Sequence, residues 1–383
     1  IRLGLSQSNQ EISIMIPVNQ PLLNGREKEL LIECIDSGWI SSDGPYVKKF
    51  EDSFSNFIGM NHGIAVTNGT TALEAALFAI DLKEDDEVIM PSFTIMSCAI
   101  ATLRFGGKPI LVDIEPLTWN INVDKIESKI TPRTKAIMAV HMYGHPCDLD
   151  PILALAKKYN LQVIEDASQV HGALYKGKKC GGIGHISTFS FYANKILTTG
   201  EGGMVMTSDE EMADRARSYR NLCFRTDRRF YHTELGNNLR MTNMQAALGI
   251  AQLERIDEFV ELKRVNGARY GELLNQIPGI KTQTEMPWAK MVYWMYAIEL
   301  DESIGWDAEK MMAELSIRGV GTRPFFLGLH EQPVLCDKGW YKNEQYPVTN
   351  KSSRQGFYLP SSLNLTDTQI KFVVEQIEGI LKK

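Results

Sequence analysis

The fold of this chain is indicated first by one stretch, SFYANKILTTGEGG, which spans residues 190–203. A single lysine, Lys195, stands there among hydroxyl-bearing and aromatic residues, a few positions before a glycine-rich turn. The pKa of a lysine amine falls readily on burial, and the neutral amine can form an imine with a carbonyl compound. A lysine before a turn is more often an ordinary surface residue, so this interpretation depends on the other motifs of the chain.

The segment VIEDA, residues 163–167, supplies a carboxylate that suits the same site. A short apolar run that ends in two acids predicts a buried parallel strand with Asp166 at its carboxyl end, where open α/β sheets bind ligands. A carboxylate there can keep a pyridine nitrogen protonated, as pyridoxal phosphate requires. Gln169 could reach the same ring. The alternative is that Asp166 only caps the next turn.

The segment NGTTALEAAL, residues 68–77, predicts a phosphate site because small polar residues open a helix rich in alanine and leucine. The free N–H groups and the dipole of such a helix N-terminus favour an anion, which would place Gly69 and Thr70 at the phosphate. The hydroxyl of Ser190 could add a further contact. Plain N-capping by threonine is the alternative.

Helical and strand patterns alternate from about residue 60, which predicts an α/β fold with a mostly parallel sheet covered by helices on both faces. The last third changes to a smaller α+β pattern. We predict sheet strands at 87–90, 109–112, 135–140, 162–165, 187–191 and 204–206, and helices at 71–80, 150–159, 210–219 and 242–275. In the last third we predict strands at 291–300 and 321–326 and helices at 306–317 and 366–381.

Together with GNNLRMTN, residues 236–243, these motifs resemble the DegT/DnrJ/EryC1/StrS family of sugar-nucleotide aminotransferases. The resemblance implies the fold type I of pyridoxal phosphate-dependent aminotransferases, with a large cofactor-binding α/β domain at 16–260 and a small α+β domain at 261–383. It also implies pyridoxal 5′-phosphate as cofactor and a homodimer with shared active sites. Residues 1–15 precede the resemblance, and we expect them to be an extension, disordered or left by cloning.

The same resemblance implies roles for individual residues. Lys195 is expected to carry the cofactor and to move protons, and Asp166 to hold the ring nitrogen protonated. Further cofactor contacts are expected from Gln169, Gly69, Thr70, Ser190, Ile95 and, from the neighbouring subunit, Asn238. Many relatives have an aromatic ring where Ile95 stands, and a turn residue is the alternative for Asn238. Substrate contacts are expected from Trp39, Arg323 and His330, with a basic surface turn as the alternative for the last two.

The family resemblance implies transfer of an amino group from glutamate to a nucleotide-linked keto sugar. The segments WISS (39–42), HMYGHPCD (141–148) and RMTN (240–243) favour members that convert GDP-4-keto-6-deoxymannose to GDP-perosamine, a sugar of O-antigen and lipopolysaccharide biosynthesis. A UDP- or dTDP-linked 3- or 4-ketohexose is the alternative substrate. A sugar dehydratase is disfavoured because such relatives have histidine in place of Lys195. A non-catalytic sensor is disfavoured by the complete pair of Lys195 and Asp166.

The composition disfavours several other classes. The 383 residues carry a net charge of −6 without a long basic run, which disfavours nucleic-acid binding. No apolar segment approaches the ~20 residues of a membrane helix. The six cysteines form no C-x-x-C pair, which suits reduced thiols in the cytoplasm. His141, His145 and Cys147 fit no standard zinc spacing, so we expect no metal site.

Overall fold

The computed structural model describes residues 15–225, 227–228 and 230–382. The predicted extension lies outside these residues except for Met15, so it stays a prediction. The strands are, in chain order, β1 (His62–Val66), β2 (Glu87–Pro91), β3 (Lys108–Val112), β4 (Thr134–Val140), β5 (Gln162–Asp166), β6 (Leu174–Tyr175), β7 (Lys178–Lys179), β8 (Ile186–Ser190), β9 (Gly203–Thr207), β10 (Ile280–Thr282), β11 (Ala289–Lys290), β12 (Tyr296–Leu300), β13 (Arg323–Pro324) and β14 (Gly356–Leu359).

The α-helices of the described residues are α1 (Glu27–Ser37), α2 (Pro45–Ile58), α3 (Gly69–Ala79), α4 (Ser97–Arg104), α5 (Leu149–Tyr159), α6 (Glu210–Arg220), α7 (Asn243–Leu253), α8 (Ile256–Leu274), α9 (Ala308–Ile317), α10 (Pro333–Cys336), α11 (Pro347–Gln355) and α12 (Asp367–Leu381). Capping boxes fix the starts of three of them, through Asn68 at α3, Thr242 at α7 and Thr366 at α12. Within the described residues, none of these helices is both long and apolar enough to span a bilayer.

The central sheet has seven strands in the spatial order β1-β9-β8-β5-β4-β2-β3. Only β9 runs antiparallel to its neighbours, and the other six strands share one direction. Every residue of β2, β8 and β9 is buried, as expected when helices cover both faces of a sheet. The six predicted strands all occur, with ends within one residue of the prediction, so the predicted α/β fold is confirmed. Strand β1 was not predicted, because only its last three residues are apolar and they follow His62 and Gly63.

A second sheet lies in the last third, with four antiparallel strands in the order β10-β12-β14-β13. Apolar residues of this sheet and of α8, α9 and α12 form a buried cluster separate from the main one. Ile16, near the start of the described chain, joins the same cluster and pairs with Val320. Because α8 crosses residue 260 without a break, the domain boundary placed there stays a prediction.

The long helix predicted at 242–275 is wrong in one respect, because two helices occupy this range. The chain leaves helical geometry at Arg255, where φ is −119° and ψ is 12°, and α8 begins directly afterwards. Apolar residues continue at helical spacing through this turn. The periodicity therefore could not reveal the break.

Two strands predicted in the last third are shorter than expected. The strand predicted at 291–300 begins only at Tyr296, because the backbone before it bonds elsewhere: Met291 N donates to Glu285 Oε1 at 2.8 Å and Val292 N donates to Gly144 O at 3.0 Å. The strand predicted at 321–326 is reduced to the two residues of β13. The segment 291–295 is instead an irregular connection.

Candidate active site

A cavity of about 820 Å³ opens at the carboxyl ends of the parallel strands. Asp166 ends β5 and Ser190 ends β8, and both line this cavity together with the start of α3. Open α/β sheets bind their ligands at this edge. The structure thereby brings together seven of the residues selected from the sequence, namely Gly69, Thr70, Ile95, Asp166, Gln169, Ser190 and Lys195.

Lys195 lies in the turn that connects β8 to β9. Other residues of the same motif, 190–203, stabilise this turn. The backbone N–H of Gly200 donates to Thr198 Oγ1 at 2.9 Å. Gly200 has φ +82°, a conformation that glycine adopts without strain. At Gly203 a Cβ atom would lie 2.3 Å from Asn68 O, so only glycine lets β9 approach the start of α3. The glycines of the motif thus place the lysine turn against the predicted phosphate site.

The side chain of Lys195 is half-buried, and it lines the cavity. Burial lowers the pKa of Lys195 to about 8, although the nearby carboxylate of Asp166 acts in the opposite direction. A fraction of the amine is therefore unprotonated near neutral pH, which a nucleophilic lysine requires. Its Nζ lies 3.8 Å from the centre of the Trp294 ring.

Asp166 is buried, and its carboxylate is oriented by two donors. Oδ1 accepts the backbone N–H of Ser168 at 3.1 Å, and the thiol of Cys98 lies 3.4 Å from Oδ2. A carboxylate offers about four acceptor directions, so these contacts leave capacity for one more donor. An N–H group of a ligand ring in the cavity could supply that donor.

Glu165, the neighbour of Asp166, has a structural role on the opposite face of β5. It accepts hydrogen bonds from His141 Nε2 at 3.1 Å, Gly181 N at 2.8 Å and Gly184 N at 2.6 Å. Burial opposes ionisation, but these donors lower the pKa of Glu165 below its ordinary value. His141 accepts from Cys147 N through Nδ1 at 2.9 Å, which fixes its tautomer. His141 and Cys147, two of the three residues considered for zinc, thus belong to a hydrogen-bond network.

The start of α3 forms the polar end of the cavity. Asn68 accepts from Thr71 N at 2.9 Å, so this N–H is already satisfied, whereas earlier N–H groups of the first turn are not bonded within the helix. Thr70 Oγ1 lies 2.9 Å from Ser97 Oγ, which orients its hydroxyl. The helix dipole and the Ser190 hydroxyl add to the preference for an anion.

Gln169 and Ile95 complete the walls of the cavity. Gln169 is buried, and its Oε1 accepts from Tyr143 N at 2.7 Å, so the amide Nε2 is the group that it can offer to a ligand. Ile95 is 43% exposed, and it presents an apolar surface to the cavity. Phe93 is fully buried and does not line the cavity, so its ring does not take the place of an aromatic residue at position 95.

Two predicted residues lie apart from the cavity that contains Lys195. Asn238 is exposed on an extended segment that pairs with Asn221. Trp39 is half exposed, and its backbone oxygen accepts from Asn243 Nδ2 at 2.7 Å. Neither side chain lines the cavity that contains Lys195.

The other two predicted substrate residues lie in the last third of the chain. Arg323 is exposed and stands opposite Tyr358 in the pairing of β13 with β14, and Tyr358 lines the cavity. His330 Nε2 lies 2.6 Å from Asn350 Oδ1, and its ring packs 4.4 Å from that of Tyr346. Arg323 is therefore near the rim, whereas His330 is already engaged within the protein.

Several further residues line the cavity, and none of them was predicted from the sequence to do so. Trp294, Phe326 and Tyr358 form an aromatic wall contributed by the last third. Glu74 and Arg104 form an ion pair at another side, with Glu74 almost fully buried. Trp294 lies in the segment MVYWMY, residues 291–296, which is rich in aromatic residues. The apolar pattern of this segment predicted an ordinary strand, so no role in the cavity was assigned to it.

The chemistry of these groups fits pyridoxal 5′-phosphate. A nucleophilic amine suits its aldehyde, a buried carboxylate suits its ring nitrogen, and a helix N-terminus beside a serine suits its phosphate. The apolar side chain of Ile95 suits the ring face. In the described residues no group of three histidine, cysteine or acidic side chains is arranged to hold a metal ion.

Comparison with known proteins gives consistent matches over nearly the whole chain. A model of the DegT/DnrJ/EryC1/StrS aminotransferase family matches residues 21–378. The GDP-perosamine synthase of Caulobacter vibrioides is 40% identical over 367 residues, which cover 96% of this chain and 98% of the relative. That of Escherichia coli O157:H7 is 41% identical over 362 residues, which cover 94% of this chain and 97% of the relative.

The solved structures agree with these matches. The aminotransferase TlmJ from Streptoalloteichus hindustanus is 29% identical and superposes with a TM-score of 0.89, over 96% of this chain and 99% of that chain. The predicted family, aminotransferase fold and pyridoxal 5′-phosphate cofactor are thereby confirmed.

Proposed function

Because the chain belongs to the DegT/DnrJ/EryC1/StrS aminotransferase family, we propose that it transfers the amino group of glutamate to GDP-4-keto-6-deoxymannose. The products are then 2-oxoglutarate and GDP-perosamine. The observation that carries this proposal is the identity of 40% and 41% with two GDP-perosamine synthases over nearly the full length of both chains. Function depends on the site rather than on the fold, so the site residues must support it as well.

Pyridoxal 5′-phosphate supplies an aldehyde that binds amines covalently and a ring that accepts electrons from the reacting carbon. We assign Lys195 as the amine that holds it between turnovers. Asp166 accepts the N–H of the ring nitrogen and so keeps that nitrogen charged. Gln169 contacts the ring hydroxyl through Nε2, and Ile95 covers one face of the ring.

Lys195 also moves the proton once a substrate amine has taken its place. Its free Nζ would accept the proton from the α-carbon of glutamate. With the keto sugar bound, Nζ would deliver a proton to the sugar carbon that gains the amine. The lowered pKa of Lys195 supports this role, because a group whose pKa lies near neutral pH can both accept and donate a proton.

The phosphate of the cofactor is assigned to Gly69, Thr70 and Ser190 of one subunit and to Asn238 of its neighbour. The exposure of Asn238, away from the cavity of its own subunit, supports a contact across a homodimer. Trp39, exposed near the chain start, is assigned to the substrate on the same reasoning.

Arg323 and His330 are assigned to the nucleotide diphosphate or the sugar. The position of Arg323 opposite Tyr358, on the rim of the cavity, supports contact with an anionic substrate. His330 has Nε2 occupied by Asn350, so Nδ1 is its remaining polar atom.

We also propose a cellular setting for this activity. We place the enzyme in the cytoplasm, where its six free cysteines remain reduced thiols, and its product in O-antigen and lipopolysaccharide biosynthesis.

Amino transfer to a panel of substrates tests the proposed function. Values of kcat/KM are compared for GDP-, UDP- and dTDP-linked 4-keto-6-deoxy sugars, with glutamate as donor. We expect the GDP substrate to be preferred by a factor on the order of a hundred, because a site built to hydrogen-bond one base leaves buried groups unpaired with another. The Lys195→Ala variant serves as the control for non-enzymatic transfer.

The alternatives have distinct outcomes in the same assay. A preference for a UDP- or dTDP-linked ketohexose contradicts the substrate proposed and retains the transaminase. Loss of the C3 hydroxyl without amine gain would indicate a dehydratase. Absence of any turnover by a protein that binds the cofactor would indicate a sensor.

A further inference from the structure

The indole ring of Trp294 provides a binding surface for the amine of Lys195. Nζ lies 3.8 Å from the centre of the ring, well within the ~6 Å range of cation–π attraction. Tryptophan has the most favourable ring face for this interaction among the aromatic residues. Both side chains line the same cavity, so the contact occurs where the proposed chemistry takes place.

The ring of Trp294 is fixed relative to the backbone of Lys195. Its Nε1 donates to Asn194 O at 2.8 Å, and this oxygen belongs to the peptide bond that joins Asn194 to Lys195. The same oxygen accepts from Asn19 Nδ2 at 2.6 Å. Tyr143 lies nearly parallel to the indole, with ring centres 6.4 Å apart and an interplanar angle of 11°. The indole therefore cannot turn away without losing its hydrogen bond and its packing.

The backbone of Trp294 is fixed in turn by a buried lysine. Lys263 of α8 is 2% exposed, and its Nζ donates to Trp294 O at 2.8 Å and also to Ser361 O. Two carbonyl oxygens thus accept hydrogen bonds from its amine, and the salt bridges of the described residues do not include Lys263. Burial of such a polar group is costly unless hydrogen bonds compensate for it, so these two contacts fix the position of the amine.

We propose that Trp294 is a catalytic residue whose indole face binds the ammonium form of Lys195 whenever Nζ is free of the cofactor. Lys263 acts as a positioning residue that holds the Trp294 backbone. The inference rests on the proposed function only through the assignment of Lys195 as the cofactor lysine. No covalent bond forms or breaks in this contact. The ammonium of Lys195 binds the ring non-covalently in the interval between accepting a proton and donating it.

The proposed contact opposes the effect of burial on the proton affinity of Lys195. Burial lowers the pKa of Lys195 to about 8, and the charge of Asp166 raises it. His171 also faces this amine, but burial lowers the pKa of His171 to about 3, so it stays neutral. Attraction to the indole adds to the effect of Asp166. Trp294 thus stabilises the protonated form of Nζ, from which the proton is delivered.

The test uses apoprotein, so that the readout does not depend on turnover. Acetic anhydride is applied over a range of pH, and the acetylation of Lys195 is followed by mass spectrometry of its peptide. Wild type is compared with Trp294→Phe and Trp294→Leu. We expect the midpoint of reactivity to fall by about one pH unit in the leucine variant and by less in the phenylalanine variant.

The direction of the change distinguishes the proposal from a simple loss of packing. If Trp294 only fills space, removing it admits water and leaves the midpoint unchanged or raises it, which would overturn the proposal. If the leucine variant does not fold, the phenylalanine variant decides by the same criterion. Trp340→Leu is the matched control, because Trp340 lies 5.7 Å from Lys108 at another place.

The assignment of Lys195 is checked separately in the same preparations. Borohydride is added to protein loaded with pyridoxal 5′-phosphate, and the labelled peptide is identified. Label on Lys195 with an unchanged midpoint in both Trp294 variants contradicts only the inference about Trp294. Label on another lysine contradicts the proposed cofactor site itself.

Discussion

Gly69 and Ser190 approach each other so closely that a Cβ atom on Gly69 would lie 2.8 Å from Cβ of Ser190. This contact joins the first residue of α3 to the last residue of β8, the two elements that provide the proposed phosphate site. An added methyl group must therefore displace the serine or the helix start. The close approach explains why the phosphate site requires glycine at this position.

Gly69→Ala is predicted to weaken binding of pyridoxal 5′-phosphate about tenfold or more. The displaced elements lose at least one hydrogen bond to a charged group, which contributes ~1.5–3 kcal/mol. The measurement is the dissociation constant of the cofactor by titration of apoprotein. Gly271→Ala is the matched control, because the nearest neighbour of the new Cβ atom would be 3.6 Å away, in the last turn of α8. Equal affinity in the two variants would contradict the phosphate assignment.

Asp166→Asn retains the shape of the side chain and removes its charge. We expect amino transfer from glutamate to slow by roughly a hundredfold or more, because the ring nitrogen is no longer held protonated. The pKa of Lys195 in the apoprotein should also fall, since the carboxylate now raises it. Single-turnover kinetics and the acetylation profile measure the two effects. The exposed pair of Asp150 with Lys176 provides a control in Asp150→Asn, which should change neither.

The burial of Lys263 is predicted to make the free energy of unfolding depend on pH. Burial lowers the pKa of Lys263 from 10.5 to about 7 in the folded protein. Between these values the unfolded chain binds more protons, so the free energy of unfolding rises with pH and this gain is absent below about pH 7. Relative to Lys263→Met, wild type should gain roughly 3 kcal/mol between about pH 7 and about pH 9.5.

Urea unfolding at each pH measures this difference for wild type and for Lys263→Met. Lys48→Met is the control, because Lys48 pairs with Asp52 on the surface of α2 and should give a nearly constant difference. A constant difference for Lys263→Met as well would show that Lys263 is not buried as a titrating group.

Mixed dimers test the assignment of Asn238 to the neighbouring subunit. Lys195→Ala and Asn238→Ala subunits are exchanged and assayed together. If Asn238 acts across the interface, one of the two sites in each mixed dimer regains both wild-type groups, so activity rises well above that of either variant. Proven exchange without such a rise would place Asn238 in its own subunit or outside the site.

The sequence predicted the parts of the site that local chemistry determines. Asp166 follows an apolar run, and ligands bind at the edge of an open sheet where parallel strands end, so its place in the cavity followed from the pattern. The turn that contains Lys195 was predicted from its glycines. One of them, Gly203, leaves room for the backbone oxygen of Asn68. These features depend on residues that are near each other in sequence or in adjacent strands.

The remaining features depend on contacts between distant parts of the chain. Trp294 reaches Lys195 only because its backbone is held by Lys263 and its indole by Asn194, contacts that no local pattern encodes. The break between α7 and α8 at Arg255 was not predicted for a related reason, because apolar residues continue at helical spacing through it. Periodicity reports which residues are buried, and it does not report the partner against which each one packs.

The most direct test of the central claim is to locate the cofactor on the chain. Protein loaded with pyridoxal 5′-phosphate is reduced with borohydride, digested and mapped by mass spectrometry, with Lys195→Ala as control. We predict one labelled peptide, with the label on Lys195, and no label in the variant. A label on any other lysine, or equal labelling of Lys195→Ala, would contradict the assignment of this cavity as the active site.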